Sequence, residues 1–174
     1  MASPKIFISS TWYDLKYIRS NLNFFINTMG YEPILSEKGD VYYNPKQHVQ
    51  DSCINEVPNC QIFILIIGGR YGEPYKSADY SITNAEYKAA VNYKIPIFTL
   101  VEEPVYNDYL IYVKNKDNKE IDYKKIVYPS VDSIKIFDFI AEVKNQSINN
   151  AIVPFKDFVG IESYLKQQWA GMFF

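Results

Sequence analysis

Apolar residues follow two rhythms along this chain. Five short runs are dense in β-branched and aromatic residues and predict strands: Lys5–Ser9 (KIFIS), Tyr31–Leu35 (YEPIL), Gln61–Ile67 (QIFILII), Ile95–Val101 (IPIFTLV) and Ala151–Phe155 (AIVPF). Pro33 suggests an edge position for the second. QIFILII is continuous rather than alternating, as a strand buried on both faces should be. Between these runs the apolar spacing changes to three and four. Leu15, Ile18, Leu22, Phe25, Ile26 and Met29 mark one helical face, with Ser10 or Thr11 as its cap and Gly30 as its end. Pro45 reads as the first helical position before a Val49, Cys53, Val57 stripe. Further helices are expected over about 84–93, along Ile134, Phe137, Ile140 and Val143, and along Phe158, Ile161, Leu165 and Trp169. Residues 102–133 are the least regular. There Tyr109–Val113 and Ile121–Tyr128 flank the polar stretch KNKDNKE, which predicts a β-hairpin insertion.

Strands and helices therefore alternate, which implies a parallel sheet covered by helices on both faces. Five such strands most often take the flavodoxin-like order 2-1-3-4-5, a three-layer α/β fold, here in one domain over 1–174. Ligands bind such sheets outside the carboxyl ends of the strands, at the topological switch point. That point lies between strands one and three. Topology thus brings together Ser9-Ser10-Thr11-Trp12 and Gly68-Gly69-Arg70-Tyr71-Gly72.

Composition narrows the partners. Formal charge is −2 with no basic run, which argues against a dedicated nucleic-acid binder. No apolar run approaches the ~20 residues that span a bilayer, and no signal peptide is evident. A soluble, reducing, cytoplasmic setting is expected. Cys53 and Cys60 are the only cysteines and His48 the only histidine, so no metal site is expected and both thiols read as buried.

The two loops carry the candidate chemistry. Three glycines in GGRYG permit close backbone approach and positive φ. Their free N–H groups and the Arg70 guanidinium could hold a phosphate, although the spacing matches neither a P-loop nor a dinucleotide fingerprint. The alternative is a tight strand exit with Arg70 in a structural ion pair. Ser9, Ser10 and Thr11 at a helix start suit an anion or ribose, or simple capping. Trp12 and Tyr13 can stack on a base or cover a helix end. Glu86 also has two readings. Thr83-x-x-Glu86 matches a capping box, a complete structural explanation. Yet its helix directly follows the switch-point loop, where a carboxylate would face the crevice and the helix N-terminus would help keep it ionised. An ionised carboxylate suits N-glycosidic cleavage, because it stabilises an oxocarbenium-like ribosyl centre. No hydrolase triad or nucleophile elbow competes with that chemistry.

KIFISSTWYDLKYIR, CQIFILIIGGRYG, SITNAEYKAA and KIPIF, in this order from Lys5 to about Leu100, resemble a bacterial TIR-like family of formally unknown function. Its members often precede NTPase and WD-repeat regions, and the wider resemblance is to the Toll/interleukin-1 receptor (TIR) superfamily. The resemblance implies a flavodoxin-like fold and, in enzymatic members, NAD cleavage by a glutamate on the helix after strand three. The matching position is Glu86. Ser9, Ser10 and Trp12 match the nucleotide-binding loop, Arg70 and Tyr71 the GGRYG motif, and Asp14 and Arg19 the first helix. Ile18-Arg19 departs from a common Glu-Arg pair, and Gln61 stands where an aspartate is common. The chain ends soon after its last helix, so a separate effector is expected. Thoeris-type antiphage systems, in which a TIR protein turns NAD into a signalling nucleotide sensed by a partner, supply the analogy. NAD is then a substrate, no cofactor is needed, and self-association can complete the site. A non-catalytic self-association module and a nucleoside deoxyribosyltransferase-like enzyme are the alternatives.

Overall fold

The strand predicted as fully buried is the centre of the molecule. β3 (Ile62–Ile67) is buried along its whole length. Its side chains alternate, with Ile62, Ile64 and Ile66 entering one hydrophobic cluster and Phe63, Leu65 and Ile67 the other. The computed structural model of the chain describes residues 3–172. β1 (Lys5–Ser9) and β4 (Ile97–Glu102) flank β3, while β2 (Glu32–Ile34) and β5 (Ile152–Phe155) form the edges. All pairings are parallel, so the sheet has the order β2-β1-β3-β4-β5 expected of a flavodoxin-like fold. Pro33 and Pro154 fall on the two edge strands, where a missing N–H breaks no inner ladder.

Two helices cover one face. α1 (Lys16–Thr28) and α6 (Phe158–Met172) meet there, with Phe25 stacked on Trp169 at 5.6 Å. The other face carries α2 (Val49–Glu56), α3 (Ile82–Asn92), α4 (Glu103–Lys116) and α5 (Lys135–Lys144). Among the described residues, no helix is long and apolar enough to cross a membrane.

The predicted hairpin at 102–133 does not form. Tyr109–Val113 lies inside α4, which opens with Pro104 and buries Val105, Asp108, Tyr109 and Tyr112. Those spacings of three and four define a helical face. The aromatic and branched residues that imitate a strand are there to fill a core, where Tyr112 packs on Phe137 of α5 at 5.0 Å. Residues 121–128 are not a strand either. They form a turn and loop whose Tyr123 and Tyr128 pack edge-on against Tyr112. Pro45 does not open α2, which begins four residues later behind a His48 cap whose Nδ1 accepts the Gln50 N–H. Ser10 and Thr11 do not cap α1 either, because the helix begins beyond them with Leu15 as its cap residue and no side-chain cap.

Candidate functional site

β1 and β3 end side by side, and their exits border a cavity of about 590 Å³. That size suits a small-molecule ligand. Of the candidate residues, Ser10, Thr11, Trp12, Arg70 and Glu86 line it. Ser9 does not, but stands directly behind Glu86. Gly68 and Tyr71 face a minor crevice instead, and Gly69 turns toward another segment. The two loops also touch, since a Cβ on Gly72 (φ +83°) would lie 2.8 Å from Thr11 Cγ2.

Glu86 is not a cap. The cap of α3 is Ser81, whose Oγ accepts the Asn84 N–H, so Thr83 already lies inside the helix. Glu86 is one turn further along and only 7% exposed. Its Oε2 accepts the Ser9 hydroxyl at 2.5 Å, a bond that joins the ends of β1 and α3. Burial raises its pKa to about 7, against the Ser9 hydrogen bond and the positive charge of Arg19, which favour ionisation. The expectation of a carboxylate kept ionised by the helix N-terminus is therefore corrected. Desolvation outweighs the Ser9 bond and the Arg19 charge, and pushes the carboxyl from the usual carboxylate range into the neutral range.

Arg19 holds the β1 exit in place. It is 3% exposed and pairs with Glu37 through two bonds, Nε to Oε1 at 2.7 Å and Nη2 to Oε2 at 2.6 Å. Its Nη1 donates to the Ile8 carbonyl at 3.2 Å and to Ser10 Oγ at 2.8 Å. One guanidinium thus ties α1, the β1 exit and the loop after β2 together. Arginine suits the position because its planar fork spreads charge over several directed bonds. The hydroxyls of the first loop are engaged internally: Ser10 donates to the Thr11 carbonyl, and Thr11 to Asp14 Oδ1.

The glycine loop is engaged as well. The Tyr71 N–H donates to Asp132 Oδ1 at 2.9 Å, and the Asp132 N–H donates to the Gly69 carbonyl at 2.9 Å. A Cβ on Gly69 would collide with the Ser130 carbonyl, so glycine is required for the segment after α4 to close over the loop. Ser130 is itself fixed by donation to the buried Asp108 carboxylate at 2.9 Å. A Cβ on Gly68 would lie 2.8 Å from Asp14 Oδ2 and 3.0 Å from Glu102 Oε2. The Glu102 pKa is raised by burial and by the Asp14 charge, against the Gly69 N–H, which favours its ionised form. The GGRYG amides expected to be free for a phosphate are thus partly committed to Asp132 and Glu102. Arg70 forms no ion pair among the described residues, which removes the reading of a structural pair. Its guanidinium lies 4.8 Å from the Tyr13 ring centre.

Several lining residues went unpredicted. Tyr43 and Ser36 come from the loop after β2, with the Tyr43 hydroxyl donating to the Ser36 carbonyl at 3.0 Å. Cys53 lines the cavity too, but burial and the Glu86 charge push its thiol up to about 11, which suits packing rather than nucleophilic attack. Asp132 is the most consequential of them, and it lies in the segment where the sequence pattern predicts a hairpin. The Gln61 departure lies away from the cavity. Gln61 precedes β3, at the opposite end of the strand, where its Oε1 accepts the Lys5 N–H at 2.7 Å.

Residues 5–170 match the family described as Domain of unknown function (DUF4062). The chain belongs to that family. The match covers every strand and helix except the last residues of α6, so the cavity lies wholly within the family's domain. No curated protein and no solved structure matches the chain.

Proposed function

We propose that this DUF4062 chain is a TIR-like enzyme that cleaves the N-glycosidic bond of NAD. The observation that carries the reading is Glu86: a buried carboxylate at the cavity wall, free of any capping role and supported from behind by the Ser9 hydroxyl. In the ionised form it sets a fixed negative charge beside the ribosyl centre. The C1′–N bond breaks, its electron pair neutralises the pyridinium nitrogen, and nicotinamide leaves. The oxocarbenium-like centre, stabilised by Glu86, is then taken by an acceptor. Water gives ADP-ribose and releases a proton; an internal base gives a cyclic nucleotide; a second base gives an exchanged conjugate. By analogy with Thoeris-type systems, the product is a signal for a separate effector in antiphage defence, and self-association completes the site.

The purified chain is incubated with NAD and nicotinamide release is followed, with Glu86→Gln as control. Turnover in the wild type that is lost in a folded Glu86→Gln supports the reading. Absence of release at high protein concentration and in infected-cell lysate, or full turnover in Glu86→Gln, refutes it. One observation favours a second reading, a non-catalytic TIR-like interaction module. Trp12, Tyr13, Tyr17 and Phe24 project apolar surface from α1 and the loop before it, with Tyr13 67% exposed.

A further inference from the structure

The glycine loop resembles a phosphate cradle in sequence, yet the protein's own groups take up part of it. Asp132 Oδ1 accepts the Tyr71 N–H at 2.9 Å, as a phosphate oxygen would, and the Asp132 N–H returns a bond to the Gly69 carbonyl. Ser130 closes over Gly69 so tightly that no Cβ fits there. The plug is anchored in turn by the Ser130 N–H on buried Asp108. An incoming phosphate would meet a carboxylate at 2.9 Å from the amide it needs.

Carboxylates outnumber cations in the lining of the cavity. Asp14, Glu73, Glu86 and Asp132 all line it, against Arg70 as the one lysine or arginine among the described lining residues. Two cations gather at the exposed rings of Trp12 and Tyr13, which mark the mouth of the cavity. Lys16 Nζ sits 3.9 Å from the Trp12 ring centre and 4.8 Å from that of Tyr13, and Arg70 Cζ lies 4.8 Å from the same Tyr13 ring. Sharing one ring holds the two cations within about 10 Å of each other, roughly a Debye length at 0.1 M salt. They repel, and neither forms an ion pair among the described residues. An anion bridging them relieves that repulsion, while the ring faces keep both cations oriented.

We propose that Lys16 and Arg70, held across Tyr13, take the phosphates of a ligand at the mouth of the cavity, and that Asp132 is the specificity-determining residue that keeps them out of the glycine loop. The ligand class follows from these groups: phosphates on Lys16 and Arg70, and a neutral or cationic group with hydroxyl donors toward the buried Glu86 carboxyl. The inference deepens the proposed function and rests on it only in expecting a phosphate-bearing ligand.

Inorganic pyrophosphate is titrated into the full chain by calorimetry at low salt, with circular dichroism confirming that each variant is folded. Lys16→Gln and Arg70→Gln should each weaken binding about fivefold, the order of one charge-assisted contact, and the double variant should abolish it. Asp132→Ser unplugs the Tyr71 N–H and should tighten binding severalfold. Asp132→Asn drops the charge but keeps an acceptor for that N–H, so it should tighten binding less. Unchanged binding in both mouth variants, weaker binding in Asp132→Ser, or no binding in the wild type and Asp132→Ser alike overturns the proposal. A chain that binds pyrophosphate in this way yet releases no nicotinamide from NAD refutes the function and leaves the mouth site standing. Cleavage of NAD with no dependence of binding on Lys16 or Arg70 does the reverse.

Discussion

Glu86→Gln should stabilise this protein at alkaline pH and leave it nearly unchanged in acid. Burial pushes the wild-type carboxyl up to about 7 in the fold, against its ordinary value of 4.5. Each pKa unit is worth about 1.36 kcal/mol, so the folded state holds the proton more tightly than the unfolded chain by about 3 kcal/mol. Because the folded pKa is raised, this contribution is fully present below pH 4.5 and is lost as pH rises through 7. The steepest loss, up to about 1.4 kcal/mol per pH unit, lies between those two values. Glutamine cannot ionise, and its amide oxygen can still accept the Ser9 hydroxyl. The variant therefore escapes the cost of a buried anion. Urea unfolding of both proteins from pH 5 to 9, read by tryptophan fluorescence, isolates the effect, since groups unaffected by the substitution cancel in the difference. The variant should gain about 3 kcal/mol on the wild type by pH 9, with the midpoint of the change near pH 6, between the unfolded and folded values, and the gain nearly complete just above pH 7. A difference that is constant with pH, or a wild type that gains on the variant as pH rises, would refute the assignment of Glu86 as a desolvated carboxyl.

Ser9→Ala removes the hydrogen bond that favours the Glu86 anion, so the carboxyl's midpoint in a carbon-13 NMR titration should rise by about one pH unit. If NAD cleavage needs the anion, nicotinamide release should fall as pH drops through about 7 in the wild type, and the fall should begin at higher pH in Ser9→Ala. Arg19→Met strands Glu37 and leaves Ser10 and the Ile8 carbonyl without their donor, which should cost about 3 kcal/mol in urea unfolding. Gly69→Ala drives a methyl into the Ser130 carbonyl and should cost roughly 1–3 kcal/mol, while hydrogen exchange at the Tyr71 amide quickens as Asp132 lifts away.

The strands were legible because their signal is local. QIFILII needs no partner to show that both its faces are buried, and IPIFTLV and KIFIS are similar. The stripe from Leu15 to Met29 predicted the apolar residues of the buried face of α1 except its last member, since Met29 is exposed, and it passed over the buried Arg19. Alternation then gave the strand order, and strand order gave the place of the cavity. The region from α4 to α5 failed for a physical reason. In a tyrosine-rich sequence the residues of α4 that fill an aromatic core are the same types that populate strands, and a five-residue window cannot separate a period of two from one of 3.6. That error hid Asp132, which reaches the glycine loop only because α4 and the segment behind it fold back over Gly69.

Glu86 shows the same division. Its neighbours carry a capping motif, and its place in the strand order suggests a ligand crevice; local pattern alone cannot choose between them. The sequence by itself determined a five-stranded parallel α/β sheet, its switch point and the pair of loops that meet there. Those features follow from hydrophobic periodicity and chain connectivity, which each segment carries within itself. Only the tertiary structure decided that Ser81 caps α3, that the Glu86 carboxyl is buried against Ser9 with its pKa pushed up to about 7, and that Asp132 accepts the Tyr71 N–H of the glycine loop. Desolvation and hydrogen-bond partnership depend on groups as far apart in the chain as residues 71 and 132, and no local window of sequence holds both.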